Sequence, residues 1–232
     1  MHDHHILITG ASGFVGTALT KHLLDEGAHI TTLLAVWEPQ SYFVSSGMLY
    51  QTQNILGSIE DYELVEQVIA DQQIDTVIHL AAVAVEGQAL HSPRHAFDIN
   101  IRGTYNLLEA CRTHSHLVKR ILVASSDKVY GDSPLLPYTE EMALWGRHPY
   151  DVSKVCTDVL AQSYASSYRL PVVIGRFGNI FGGGDLHWSR LIPGTIRRLL
   201  RNEPPVIRVH PQGHFRRDFL YIKDVVRAYM AL

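Results

Sequence analysis

The sequence predicts an α/β fold, a doubly wound parallel sheet covered by helices on both faces. Three observations predict it. Short apolar runs alternate with amphipathic stretches from the first residues onward. A glycine-rich turn joins the first apolar run to the first amphipathic stretch. The 232 residues, 46% of them hydrophobic, suffice for one large domain whose core needs no staples.

Each element has its own signal. His5–Thr9 reads as a short buried strand and Phe14–Glu26 has helical spacing. Ile30–Leu34 is a second strand, Tyr62–Ala70 a helix, and Thr76–Leu80 a third strand. Pro93–Cys111 reads as one long helix with proline in its first turn. Arg120–Ala124 is a strand, Tyr150–Tyr168 another long helix, and Pro171–Arg176 a further strand. After Gly182 the pattern changes. Gly182–Asp185 is a loop and Leu191–Leu200 a helix, broken by Pro204 and Pro205 before a short strand at Val206–Val209. Lys223–Leu232 starts a helix that meets the chain end uncapped, the expectation for a chain cut short or completed by a partner. This divides the chain into residues 1–180, of regular β-α alternation, and 181–232, of different pattern.

Composition narrows the function. A net charge of −3 gives no nucleic-acid footprint. The arginines at 197, 198 and 201, and again at 216 and 217, read more readily as solvated helix faces than as a polyanion site. Cys111 and Cys156 lack CxxC spacing and fit a reduced, cytoplasmic setting. Residues 1–5 are polar with no visible signal peptide, and no apolar run reaches the roughly 18 residues of a membrane span. The 14 histidines are dispersed without ligand spacing, so no metal is expected.

Thr9-Gly10-Ala11-Ser12-Gly13-Phe14-Val15-Gly16 lies at the first strand-to-helix junction. Gly10 permits a tight turn, Gly13 lets backbone approach a pyrophosphate, and Gly16 allows close helix–strand packing. The helix N-terminus adds free N–H groups and partial positive charge. The acidic residue usual at the end of the second strand is replaced by Leu34-Ala35-Val36-Trp37, with Glu38 just beyond. Glu38 or backbone groups would then hold the adenosine ribose. No arginine awaits a 2′-phosphate, which favours NAD and leaves NADP open.

Tyr150 and Lys154 are spaced i, i+4 and share one helix face. A nearby ammonium favours the phenolate, which can take a proton from a sugar hydroxyl while hydride leaves the same carbon. Alone, such a pair reads as ordinary helix surface. It is accompanied by Ser125-Ser126-Asp127-Lys128 at the end of a predicted strand, where ligands sit in open α/β sheets. The competing reading makes Asp127 a turn cap and Lys128 a solvated charge.

Together with Val77–Ala82, Asn100–Ala110, Arg176–Asn179 and Arg217–Ile222, these motifs resemble the extended short-chain dehydrogenase/reductase family of sugar-nucleotide epimerases and dehydratases. The resemblance runs from Ile6 to about Ala231. It implies a Rossmann sheet, bound NAD, a nucleotide-diphosphate sugar as substrate, and a homodimer formed through the helices at 93–111 and 150–168. It assigns Gly10, Ser12, Gly13, Phe14, Val15, Gly16, Leu80, Ala81, Ala82, Asn100, Tyr150 and Lys154 to the cofactor. Asn179, Arg190 and Arg217 go to the substrate, and Ser126, Asp127, Lys128, Tyr150 and Lys154 to catalysis. Asp127-Lys128 is the pair carried by CDP-glucose 4,6-dehydratases, where the dTDP-glucose enzymes carry Asp-Glu. The implied reaction oxidises C4, eliminates water across C5–C6 and returns hydride to C6. Asp127 is expected as the acid and Lys128 as the base, which needs a neutral lysine kept so by burial or a nearby cation. A C4 epimerase and a non-catalytic dinucleotide-binding regulator are the alternatives. Family members place an aspartate where this chain has Ser58, and continue well past Leu232.

Overall fold

A computed structural model describes residues 3–207 and 217–232. The main sheet is built from β1 (His5–Thr9), β2 (His29–Leu34), β3 (Gln53–Leu56), β4 (Thr76–His79), β5 (Arg120–Ala124) and β6 (Val172–Gly175). All pairings are parallel, in the order β3-β2-β1-β4-β5-β6. The chain winds outward from β1 to β3, then crosses to β4 and winds the other way. Connections leaving β1 and β4 therefore diverge and open a crevice at their carboxyl ends.

Alternate residues of each strand feed opposite cores. Leu7, Val77, Ile121 and Val123 pack with Val65 and Ile69 of α3 (Tyr62–Asp71) and Leu107 and Leu108 of α6 (Gly103–Thr113). Ile6, Ile8, Ile78 and Leu122 face Leu19 and Leu23 of α1 (Phe14–Asp25). Each fully buried leucine or isoleucine contributes about 1.5–3 kcal/mol.

Several features depart from the sequence expectation. β3 was not anticipated: it is an edge strand with polar Gln53 and Asn54 and no apolar alternation. Short α2 (Tyr42–Ser45) and α4 (Glu86–His91) span too few residues to show a period. The helix expected at 93–111 runs from α5 (Pro93–Phe97) into α6 through a π-helical turn at Asp98–Arg102. Val206 and Ile207 are exposed and irregular rather than strand; Arg208, Val209 and Arg216 lie outside the described residues.

The helix that carries Tyr150 and Lys154 is α7 (Pro149–Tyr168). Beyond β6, β7 (Asn179–Phe181) pairs in parallel with β8 (Phe219–Tyr221), and α8 (Leu191–Leu200) lies between them in sequence. α9 (Ile222–Ala231) packs Val225, Val226 and Tyr229 into the same core as α1, so the chain's last helix returns across the boundary expected near residue 180. Among the described residues, no helix is long and apolar enough to cross a membrane, and no cluster of three or more His, Cys, Asp or Glu residues is arranged to hold a metal.

Candidate active site

A cleft of about 1860 Å³ opens along the carboxyl ends of β1, β4 and β5 and under α8. Its floor is the glycine loop. Gly10 has φ +75°, and a Cβ there would come within 2.8 Å of the Ala81 backbone nitrogen. A Cβ on Gly16 would strike the Gly10 carbonyl, which is why α1 can start so close to β1. Thr9 Oγ1 accepts from the backbone N–H groups of Leu80 and Ala81, each at 3.2 Å, and ties the loop to the end of β4. The cradle admits no side chain where a pyrophosphate needs backbone and helix N-terminus, so these residues fit a dinucleotide. Ser12, Gly13, Phe14, Val15, Leu80, Ala81 and Ala82 line the same space, as do Glu38 and Ser58.

Ser126, Asp127, Lys128, Tyr150 and Lys154 all line the cleft. Pro149 starts α7, capped by His148 and Asp151, so Tyr150 stands in its first turn. Burial pushes the Tyr150 phenol up to about 12, helped by the charges of Asp127 and Glu86 and opposed by a hydrogen bond with Ser126 and by Arg190. Lys154, one helical turn on, directs its amine to the end of β5. Its Nζ donates to the Ala124 carbonyl at 2.7 Å, and burial lowers its pKa to about 8. Spacing put the two side chains on one face, but the carbonyl at the end of β5 captured the amine.

Ser126 Oγ donates to Asp127 Oδ1 at 3.1 Å and accepts from the Lys128 N–H at 3.2 Å. Burial raises the Asp127 carboxyl, against the pull of Ser126, Lys128 and Arg217. Lys128 Nζ lies 3.0 Å from Glu86 Oε1.

Asn100 also departs from expectation. It is 1% exposed and does not line the cleft. Its Oδ1 accepts from the Val83 N–H at 2.7 Å and its Nδ2 donates to Ser153 Oγ at 2.8 Å. Asn100 thus braces the loop after β4 against α7 instead of touching a ligand. Asn179, Arg190 and Arg217 do line the cleft; Arg190 is held by the buried Asp185 at 3.3 Å. Arg197, Arg198 and Arg201, expected to be solvated, border the cleft as well; Arg201 is exposed, as expected, and Arg198 pairs with Glu203 at 3.4 Å. Arg197 stacks over Trp188 at 5.2 Å. Glu86 was not anticipated, since only the fold of α4 brings it opposite Lys128.

Comparison with known proteins agrees with this geometry. The model of the NAD dependent epimerase/dehydratase family matches residues 6–232. A dTDP-D-glucose 4,6-dehydratase of Dictyostelium discoideum is 32% identical over 97% of this chain; the chain spans 54% of that relative's length. The crystal structure of a UDP-glucose 4-epimerase from Thermotoga maritima with UDP-glucose superimposes with a TM-score of 0.87, at 25% identity, over 97% of this chain and 72% of its own. A dTDP-glucose 4,6-dehydratase from Bacillus anthracis in complex with NAD gives 0.84 at 26% identity, over 98% of this chain and 71% of its own. With its glycine cradle, its cleft at the switch point and a family match over nearly its full length, the chain belongs to the NAD dependent epimerase/dehydratase family.

Proposed function

We propose that this chain carries the catalytic core of an NAD-dependent 4,6-dehydratase acting on a nucleoside-diphosphate glucose. The observation that carries this reading is the pairing of Asp127 with Lys128 in the same cleft wall as Tyr150. Hydride exchange at C4 alone needs a phenol and a hydroxyl. A second acid–base pair beside them suits the elimination of water across C5–C6. Residues 1–180 hold the cofactor in this reading, and the segment after residue 180 supplies the sugar-nucleotide side through Asn179 at its edge, Arg190, Arg197 and Arg217.

NAD, held by the cradle of Gly10, Gly13 and Gly16, would supply the hydride acceptor at C4 and the donor at C6. Tyr150 takes the proton of the 4-hydroxyl, and Ser126 hydrogen-bonds the same oxygen. Lys154, anchored on Ala124, keeps the first turn of α7 in register with the end of β5. The 4-ketone acidifies C5–H, and the Asp127–Lys128 pair divides the two proton transfers of the elimination. The cytidine nucleotide is supported by Asp127-Lys128 alone, whereas the relatives' names carry dTDP and UDP sugars.

The test is a panel of CDP-, dTDP- and UDP-glucose with NAD in deuterated water. The expected product is a 4-keto-6-deoxy sugar labelled at C5. C4 inversion without C5 label would replace this reading with an epimerase, and no turnover of any sugar would leave a binding protein. Tyr150→Phe should lower turnover by roughly 10²–10⁴-fold with stability little changed.

A further inference from the structure

We propose that His79 is a positioning residue that links the glycine cradle to the helix carrying Tyr150, and that it does so as a neutral ring with its proton fixed on Nε2. The link to the chemistry rests on the dehydratase reading above; the link to the cofactor does not.

His79 is the last residue of β4 and is buried. Its Nδ1 lies 2.8 Å from Thr9 Oγ1, at the end of β1, and its Nε2 lies 3.0 Å from Thr104 Oγ1 on α6. The direction of each bond follows from the groups beyond it. Thr104 Oγ1 is 2.6 Å from the Asn100 carbonyl, which can only accept, so the hydroxyl proton is spent there. Toward His79 the same oxygen accepts, and Nε2 must carry a hydrogen. Thr9 Oγ1 already accepts from the N–H groups of Leu80 and Ala81, so its own proton goes to Nδ1. A second hydrogen on Nδ1 would set donor against donor, and the ring stays neutral. Burial, joined by the charge of Lys154, lowers its pKa to about 3, in the same sense.

Both ends of this line reach the cleft. The Ala81 nitrogen held by Thr9 is the atom that a Cβ on Gly10 would strike, so the bond sets the space for the tight turn. At the other end Asn100 carries the line onward. Thr157 of α7 donates to the same Asn100 carbonyl at 2.9 Å. Asn100 Nδ2 donates to Ser153 Oγ at 2.8 Å, and Ser153 Oγ donates to the Tyr150 carbonyl at 2.6 Å. One run of buried bonds thus joins the glycine turn to the first turn of α7, with His79 at its middle. Hydride transfer needs the sugar carbon held between Tyr150 and the cofactor, so a slip at either end costs a different quantity.

The test uses two half-mimics of the ring. An asparagine amide reaches where Nδ1 stands, and a glutamine amide where Nε2 stands. His79→Gln keeps the bond to Thr104 and loses the one to Thr9. The Kd for NADH, read from its fluorescence, should rise about three- to tenfold, with kcat at saturating cofactor kept within about twofold. His79→Asn keeps Thr9 and loses Thr104, so kcat should fall about three- to tenfold with Kd kept within about twofold. Equal losses of both quantities in both variants, the mark of a core residue alone, overturn the proposal, and so does no loss in either. Nitrogen-15 NMR of the unaltered, histidine-labelled chain reads the ring directly. Nε2 should be protonated and Nδ1 bare, unchanged between about pH 5 and 8. A proton on Nδ1, or titration in that range, overturns the proposal even where a variant fails to fold. Absence of keto-sugar from the unaltered chain would sink the dehydratase reading instead, and NADH affinity and the NMR signature would then judge His79 by themselves.

Discussion

The two walls of the cleft are held in place by different means. The sheet-side wall is backed by buried polar groups that bond to one another. His79 lies between Thr9 Oγ1 at 2.8 Å and Thr104 Oγ1 at 3.0 Å. Asn100 links Val83 to Ser153, and Asp158 gathers Ser125, Gln162 and Arg176. The α8 wall has less such backing: among the described residues, buried Asp185 holds Arg190 at 3.3 Å at the helix start, and the helix itself is largely exposed. Leu191, Ile196, Leu199 and Leu200 are exposed, and Pro193 is the one fully buried residue of that helix. Groups buried without water have few alternative partners, so the first wall has one arrangement. The second is drawn from the less stable end of the molecule, where a ligand can still adjust it.

The largest effect that would test this contrast is at Asp158. It is fully buried and receives two bonds from Arg176, at 2.8 and 2.9 Å, and one from Ser125 at 2.7 Å. Burial opposes its charge, yet Arg176, Ser125 and Gln162 hold its carboxyl below the usual range. Asp158→Ala strands a guanidinium and a hydroxyl beside the cleft end of β5, and should cost about 3–5 kcal/mol in urea unfolding. A loss under about 1 kcal/mol would mean that the sheet-side wall is no better fixed than α8.

The same contrast explains what the sequence revealed. The inner strands are apolar on both faces, so β1, β2, β4 and β5 stood out as runs, while the half-polar edge strand Gln53–Leu56 did not. The glycine cradle and the Ser126–Lys128 and Tyr150–Lys154 motifs are local, and local spacing locates their backbone. It does not fix where a long side chain ends. Lys154 reaches Ala124 and Lys128 reaches Glu86, and both partners are set by strand neighbours far away in sequence. Asn100 was assigned to the wrong side of the wall because the π turn that rotates it inward leaves no mark in the apolar period. Arg197 was read as solvated because a helix pattern does not say what lies over its polar face.

Lys154 sharpens the comparison from the side of cost. Its folded pKa, about 8, lies below the ordinary value of 10.5, so the unfolded chain binds the proton more tightly between these values. The charged amine therefore destabilises the fold fully below pH 8, and stability rises as pH climbs from 8 towards 10.5. Lys154→Met should abolish turnover yet stabilise the chain by up to about 3 kcal/mol at neutral pH. That gain should fade in alkali, as followed by thermal melts across the pH range. A destabilised variant at neutral pH would show that the bond to Ala124 outweighs the burial of the charge.

The smallest expected effect belongs to the α8 wall, at Arg197. Its guanidinium stacks on Trp188 and faces the cleft. Arg197→Ala removes one cation from the surface that would meet a diphosphate, while the sheet-side groups keep their positions. KM for the nucleotide sugar should rise about three- to tenfold, kcat should stay within twofold, and stability should move by no more than about 0.5 kcal/mol. Added salt should weaken binding by the unaltered chain more than by the variant, since screening acts on the charge that the variant lacks. A fall in kcat as deep as that of Tyr150→Phe would mean that α8 helps to set the geometry of the chemistry, and the division between a fixed wall and an adjustable one would fail.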